Sequence, residues 1–203
     1  MNDYFYEPRS GHGLAHNPFK AIVAPRPIGW ISTIDRDGRR NLAPYSFFNA
    51  VNDVPPLLYF STNAMRKDTL NNIEATGEFV VNFVGAAQAQ AMNTTSASVA
   101  PDVDEFALAG LTAVPSNLVK APRVGGAIAA MECRLCRIQR LATADGAEID
   151  AWITIGEVVG VHIDSTYLKD GVFDTAGARP IARCGYRGDY VEVNRIFEMI
   201  RPA

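Results

Sequence analysis

A mainly β fold, a small barrel with a few short helices on its periphery, follows from three features of the chain. Strand-like runs, alternating or continuously apolar, recur at short spacing along most of it. The Asp-Gly pairs Asp37-Gly38 and Asp145-Gly146 stand between such runs, where a tight hairpin needs residues that tolerate a positive φ. Helical spacing is confined to two or three short segments, which with many closely spaced strands argues for a barrel with peripheral helices.

The elements follow in order. Residues 1–17 read as a surface arm and 18–203 as one domain. Phe19 to Val23 is expected as a short strand, halted by Pro25 and Pro27. Ile28, Trp30, Ser32 and Ile34 alternate with Gly29, Ile31 and Thr33, the pattern of a half-buried strand. After the Asp35–Gly38 turn comes Asn41 to Asn49, where Tyr45, Phe47 and Phe48 are mixed with Asn41, Ser46 and Asn49. The prolines of Asp53-Val54-Pro55-Pro56 mark a turn, and Pro56 to Ser61 reads as a buried strand. A helix is expected from Asp68, with Leu70 and Ile73 as its narrow apolar face and Gly77 as its stop. Glu78 to Val84 is a further buried strand, and Gly85 to Met92 suits a second helix. Asn93 to Asn117 is polar, with a helical turn near Val103 to Leu108, and is a candidate lid or dimer arm. Ala127 to Leu141 and Ile149 to Ile163 are long strands. Arg179 to Tyr190 is irregular, and Val193 to Ile200 closes the chain as a short helix.

Composition narrows the function. The 203 residues are 48% hydrophobic and 20% charged, with net charge −3, an ordinary globular balance. No basic stripe is available to replace counterions on phosphates, so nucleic acid is not expected as a partner. No apolar stretch reaches the length of a membrane span, and the first residues lack a signal-peptide pattern, so the expected location is cytoplasmic. Cys133 and Cys136 have redox spacing but lie on an alternating run, where residues three apart face opposite sides. His12, His16 and His162 lack metal-ligand spacing, so no metal is expected. No nucleophile–base constellation or phosphate-binding loop motif is present, so no side chain is singled out as catalytic; the chemistry points to a borrowed cofactor.

Three segments carry the candidate binding residues. Ser61, Arg66, Lys67 and Thr69 lie where a strand leads into a helix N-terminus, which is either a phosphate site or a solvated basic turn. Asn41, Ala43, Pro44, Tyr45, Ser46 and Asn49 combine amide, hydroxyl and aromatic groups that suit a flat, polar-edged ligand, or else form a strand with a solvent-facing polar edge. Arg26 is held between two prolines, and Trp30 either stacks on a ligand or belongs to the core. His162, at the end of V-V-G-V-H-I, either reaches a ligand or is structural.

Taken in order, R-P-I-G-W-I-S-T, N-L-A-P-Y-S-F-F-N-A-V, D-V-P-P, R-K-D-T-L-N-N-I-E-A-T-G-E-F-V-V-N, D-E-F-A-L-A-G-L-T, M-E-C-R-L, G-E-V-V-G-V-H-I and A-R-C-G-Y-R-G-D-Y resemble the flavin reductase-like family of FMN-binding split barrels. One departure is Gly125-Gly126-Ala127, where members of the family often carry Ser-Pro. The resemblance implies a six-stranded, Greek-key-like split β-barrel, a homodimer, and FMN in a groove shared between subunits. It further implies reduction of that flavin by NADH or NADPH. Mapped onto this chain, Trp30, Ser32, Asn41, Ala43, Pro44, Tyr45, Ser46 and Asn49 would line the ring and ribityl chain. Ser61, Arg66, Lys67 and Thr69 would hold the phosphate, with His162 and the Gly185-Tyr186 region near the ring or the nicotinamide. The expected function is hydride transfer from NAD(P)H to FMN, with a partner monooxygenase as a candidate recipient of the reduced flavin. The alternatives are a flavoredoxin-like FMN carrier reduced by a protein partner, and a barrel that has lost flavin and serves as a binding module.

Overall fold

The computed structural model describes residues 2–63 and 66–202. Met1 of the expected arm, Ala64 and Met65 of the expected phosphate loop, and Ala203 lie outside the described residues. The main strands are β1 (Gly29–Ile34), β2 (Arg40–Tyr45), β3 (Phe48–Asn52), β4 (Leu57–Asn63), β5 (Glu78–Asn82), β6 (Ala129–Ala142) and β7 (Glu148–Ile163). They form one seven-stranded antiparallel sheet in the order β2-β1-β5-β6-β7-β4-β3. The long run expected over Asn41 to Asn49 breaks at Ser46-Phe47 into β2 and β3, so the main sheet has seven strands where the resemblance implied a six-stranded barrel.

That break dictates the shape. β2 and β3 are the two edges of the sheet, yet only Ser46 and Phe47 join them. So short a link spans roughly 10 Å, so the sheet must roll until its edges approach. The edges share no ladder, and the barrel stays split. Its interior is filled by Ile31, Tyr45, Leu58, Phe60, Phe79 and Cys133 from five strands, together with Ile73. Tyr45 and Phe60 have ring centroids 4.9 Å apart, and Phe60 meets Phe79 edge-on at 5.7 Å. A glycine interrupts β7 because the Phe79 ring lies over it: a Cβ on Gly156 would come within 2.4 Å of Phe79 Cζ.

Three helices matter for the site: α1 (Asp68–Thr76), α2 (Ala89–Thr94) and α3 (Glu105–Leu108). α1 begins near Asp68 as expected, but Asp68, of a favoured capping type, is its first helical residue, and the cap is Lys67, extended and without a side-chain capping bond. It ends at Gly77, whose φ of 75° lets its N–H reach Ile73 O. Around α2 and α3, Trp30, Leu42, Met92 and Phe106 form a second cluster on the outer face of the sheet. β1 is therefore buried on both faces, where the alternation suggested one. Its polar members are satisfied internally: Ser32 Oγ donates to Pro122 O at 2.5 Å and accepts from Asn82 Nδ2 at 3.0 Å.

Three other expectations are corrected. Phe19–Ile22 is a helical turn instead of a strand; Asn17 Oδ1 accepts from the Phe19 N–H at 3.0 Å and Val23 N–H closes on Phe19 O. The stretch from Arg179 is partly regular: Ile181–Arg183 pairs with Arg26–Pro27 on one side and Tyr190–Glu192 on the other. Residues 193–200 form no helix. Phe197 and Ile200 there are 80% and 87% exposed, and so short an apolar segment does not hold a helix without packing. Cys133 is buried and Cys136 exposed, in keeping with opposite faces of β6. Among the described residues, no helix is long and apolar enough to cross a membrane.

Candidate functional site

Beside the N-terminus of α1 lies a cavity of about 460 Å³. β2 supplies Asn41, Ala43, Pro44 and Tyr45, and the entrance to α1 supplies Arg66, Lys67, Asp68 and Thr69. Residues 95–99 and Glu105 complete the wall. The amide–aromatic strand and the cationic helix entrance, far apart in sequence, thus face one space.

Several contacts hold the parts in register. Asn41 Nδ2 donates to Thr69 Oγ1 at 2.8 Å, tying β2 to the first turn of α1. Thr95 Oγ1 accepts from Trp30 Nε1 at 2.9 Å and donates to Met92 O at 2.8 Å, which fixes the start of the 95–99 wall. Glu105 Oε2 accepts from the Leu42 N–H at 3.1 Å.

The charges are unevenly used. Arg66 is committed: it pairs with Glu74, and its Nε donates to Asn71 Oδ1 at 2.9 Å. Lys67 is exposed and has no ion-pair partner among the described residues. The first-turn N–H groups of α1 lack intrahelical acceptors, as at every helix start, and favour an anion there. Tyr45 Oη is buried and has no hydrogen-bond partner among the described residues. Burial, reinforced by the nearby Asp68 and Glu105, pushes its hydroxyl up to about 12; the Thr69 hydroxyl opposes this without forming a bond of ordinary geometry. The phenol therefore stays protonated. Burial likewise raises the Glu105 carboxyl, outweighing the Leu42 N–H, and Asp68 and Asp104 add to the rise.

Of the residues expected to bind, Asn41, Ala43, Pro44, Tyr45, Arg66, Lys67 and Thr69 come together in this cavity. The other seven lie outside it. Trp30 is fully buried and acts on the cavity only by anchoring Thr95. Ser32 is buried in the network with Asn82 and Pro122. Arg26 is buried, its guanidinium donating to the carbonyls of Lys20 and Val23. Ser46 belongs to the link between the sheet edges, and Ser61 lies beside it, its N–H donating to Phe47 O at 2.8 Å. Asn49 is exposed, its side chain accepting from the Ala50 N–H. His162 lines a separate cavity, and its Nε2 donates to Glu132 Oε1. Sequence reading did not single out Thr95, Ser96 or Glu105. The one available signal was the aperiodic polar stretch from Asn93, part of which forms the 95–99 wall.

A second cavity of about 320 Å³, bounded by residues such as Phe48, Val84, Met131 and Phe173, is almost wholly apolar and lacks convergent polar groups. The cavity at Asn41 and Lys67 has them. Its donor set, a free ammonium, a helix N-terminus, amide and phenol groups, fits a phosphorylated, polar-edged ring compound such as FMN.

Fold and site together define a split β-barrel with a nucleotide-sized cleft between a sheet edge and a helix start. The chain belongs to the flavin reductase like domain family, whose family model matches residues 23–182. It is 40% identical over 169 residues to an uncharacterized protein of Aquifex aeolicus, covering 81% of this chain and 83% of that one. Among solved structures it is similar to nitrilotriacetate monooxygenase component B from Bacillus cereus: TM-score 0.83, 31% identity, 92% of this chain and 98% of that one. Flavoredoxin of Desulfovibrio vulgaris (Miyazaki F) is also similar, with TM-score 0.72, 25% identity, and coverage of 89% and 92%. The family and these neighbours make a flavin the expected ligand.

Proposed function

We propose that residues 18–203 bind FMN in the cavity between β2 and α1 and catalyse its reduction by NADH or NADPH. The observation that carries this reading is that Tyr45 and Lys67 line one cavity. Lys67 and the first turn of α1 hold the phosphate, Asn41 and Tyr45 meet polar edges, and Pro44 and Ala43 cover ring surface. When bound, the flavin supplies the chemistry by accepting a hydride. The chain's own contribution is to orient the rings and exclude water, with no side chain acting as acid or base. The buried phenol of Tyr45, kept protonated, offers a hydrogen-bond donor in a weakly solvated place. The protein acts in the cytoplasm as a homodimer, and a monooxygenase component is a fitting recipient of reduced flavin.

A second reading draws on the flavoredoxin likeness: an FMN carrier reduced by a protein partner. Anaerobic absorbance of the purified protein with FMN and either nicotinamide separates the two. Bleaching of the flavin band faster than for free FMN supports the reductase. Retained colour that neither nicotinamide bleaches favours the carrier, and failure to bind FMN at all removes both.

A further inference from the structure

The flavin cavity has a neighbour. Ser96 lines both it and a cavity of about 550 Å³ whose wall includes Gln90, Asn93, Arg183, Arg187 and Tyr190. The sequence makes this second space cationic. Ile181–Arg183 and Tyr190–Glu192 form a hairpin whose loop is held by Cys184 N–H on Asp189 O and by Tyr186 N–H on Asp189 Oδ2, 2.7 Å away. Arg187 is thereby displayed at the tip, exposed. The Arg183 guanidinium lies over the Tyr190 ring, 4.8 Å from its centre, a cation–π contact that restrains it.

The charge around these two arginines is not balanced. Among the described residues neither has a carboxylate partner, and the loop's own acid, Asp189, is spent on the Tyr186 N–H. Arg26 stands directly opposite Arg183 in strand register, so like charges face each other across the ladder. Arg26 is 5% exposed and its Nε has no partner among the described residues. Its guanidinium is shifted down first by burial and then by Arg183. An anion beside Arg183 relieves that repulsion, and two guanidinium groups suit phosphate oxygens better than any single cation. The Gln90 and Asn93 amides on the same wall supply neutral donors.

We propose that this cavity is the phosphate subsite of the nicotinamide co-substrate, with Arg183 and Arg187 binding the phosphate groups of the dinucleotide. The proposal rests on the hydride-transfer reading above. A dinucleotide with its nicotinamide in the flavin cavity passes Ser96 and brings its phosphates to the arginines. The shared chemistry is a phosphate anion, either the bridging pyrophosphate or the 2′-phosphate of NADPH.

The test uses the full chain with FMN. Adenosine 2′,5′-bisphosphate and inorganic pyrophosphate are titrated calorimetrically into wild type, Arg187→Gln and Arg183→Lys. Wild type is expected to bind at least one probe, and each substitution to weaken it by about tenfold, as for loss of a charge-assisted contact. Absence of binding by wild type, or equal binding by all three proteins, overturns the subsite whatever the turnover. In steady state, the preference for NADPH or NADH over 1-benzyl-1,4-dihydronicotinamide, a phosphate-free hydride donor, falls about tenfold in Arg187→Gln. Loss for NADPH alone assigns the 2′-phosphate, and loss for both assigns the pyrophosphate. An unchanged preference overturns the assignment to the co-substrate. If wild type oxidises none of the donors yet binds a phosphate probe, the hydride-transfer reading fails while the anion site stands.

Discussion

Asn41 and Thr69, one on the edge strand β2 and the other in the first turn of α1, are joined by a buried hydrogen bond of 2.8 Å from Nδ2 to Oγ1. The bond links the two halves of the proposed nucleotide site, so the strand cannot shift without the helix. Thr69→Val keeps the shape but removes the acceptor and leaves the Asn41 amide unsatisfied. The expected loss of stability is about 1–3 kcal/mol, read from urea unfolding, together with weaker FMN binding by fluorescence titration. Thr69→Ser restores both. If the valine variant matches wild type in stability and in affinity, the bond does not couple the two elements.

Among the described residues Lys67 has no ion-pair partner at the helix entrance, whereas Arg66 is held by Glu74 and Asn71. Lys67→Ala is therefore expected to weaken FMN by roughly tenfold or more, the value of a lost charge-assisted bond. Riboflavin, which has no phosphate, is affected far less. Arg66→Ala costs less than Lys67→Ala, because its guanidinium already has partners. Equal weakening of FMN and riboflavin by Lys67→Ala would move Lys67 off the phosphate.

What could be read from the chain was local or local in sum. The strand after Ile28, the Asp-Gly turns and the stop at Gly77 depend on nearby residues, and they recur in the structure, although the strand is buried on both faces. The pairing of Tyr45 with Lys67 was reachable because each sits in a segment whose residue mixture is unusual by itself. What escaped depends on which distant element covers a strand. Trp30 resembles a ligand platform until α2 and α3 bury it and Thr95 takes its N–H. His162 resembles a ligand contact until Glu132, thirty positions earlier, is found beneath it. The apolar spacing at the C-terminus reads as a helix, yet Phe197 and Ile200 are left exposed, without the packing that would hold one.

Gly156 gives a stability test of the rolled sheet. Phe79 from β5 lies over this β7 position although β6 runs between them, so an added methyl group meets the ring at 2.4 Å. Gly156→Ala is expected to destabilise by about 1–3 kcal/mol through overpacking. Adding Phe79→Leu makes room, so the double variant is expected to lose less than the sum of the two single losses, a coupling visible in a double-mutant cycle. Strict additivity would mean that the ring and the glycine do not share that space.

Glu132 links stability to pH. It is fully buried on β6, and its carboxylate accepts from the N–H groups of Asn117, Leu118 and Val119 at 2.7, 2.6 and 3.0 Å, and from His162 Nε2. Burial alone would raise its pKa, but His162 and the three backbone donors outweigh it and bring the value from 4.5 down to about 2. A depressed acid favours the folded state once ionised, so the contribution is present above pH 4.5 and is lost as pH falls toward about 2. Glu132→Gln, neutral at every pH, removes this dependence and leaves the loop at 117–119 without its acceptor. Urea unfolding between pH 7 and pH 2 is therefore expected to show wild type well above the variant at neutrality, with the gap narrowing below pH 4.5. Curves that stay parallel down to the acid limit would show that this carboxylate carries no proton linkage, and the pinning of residues 117–119 would then need another source.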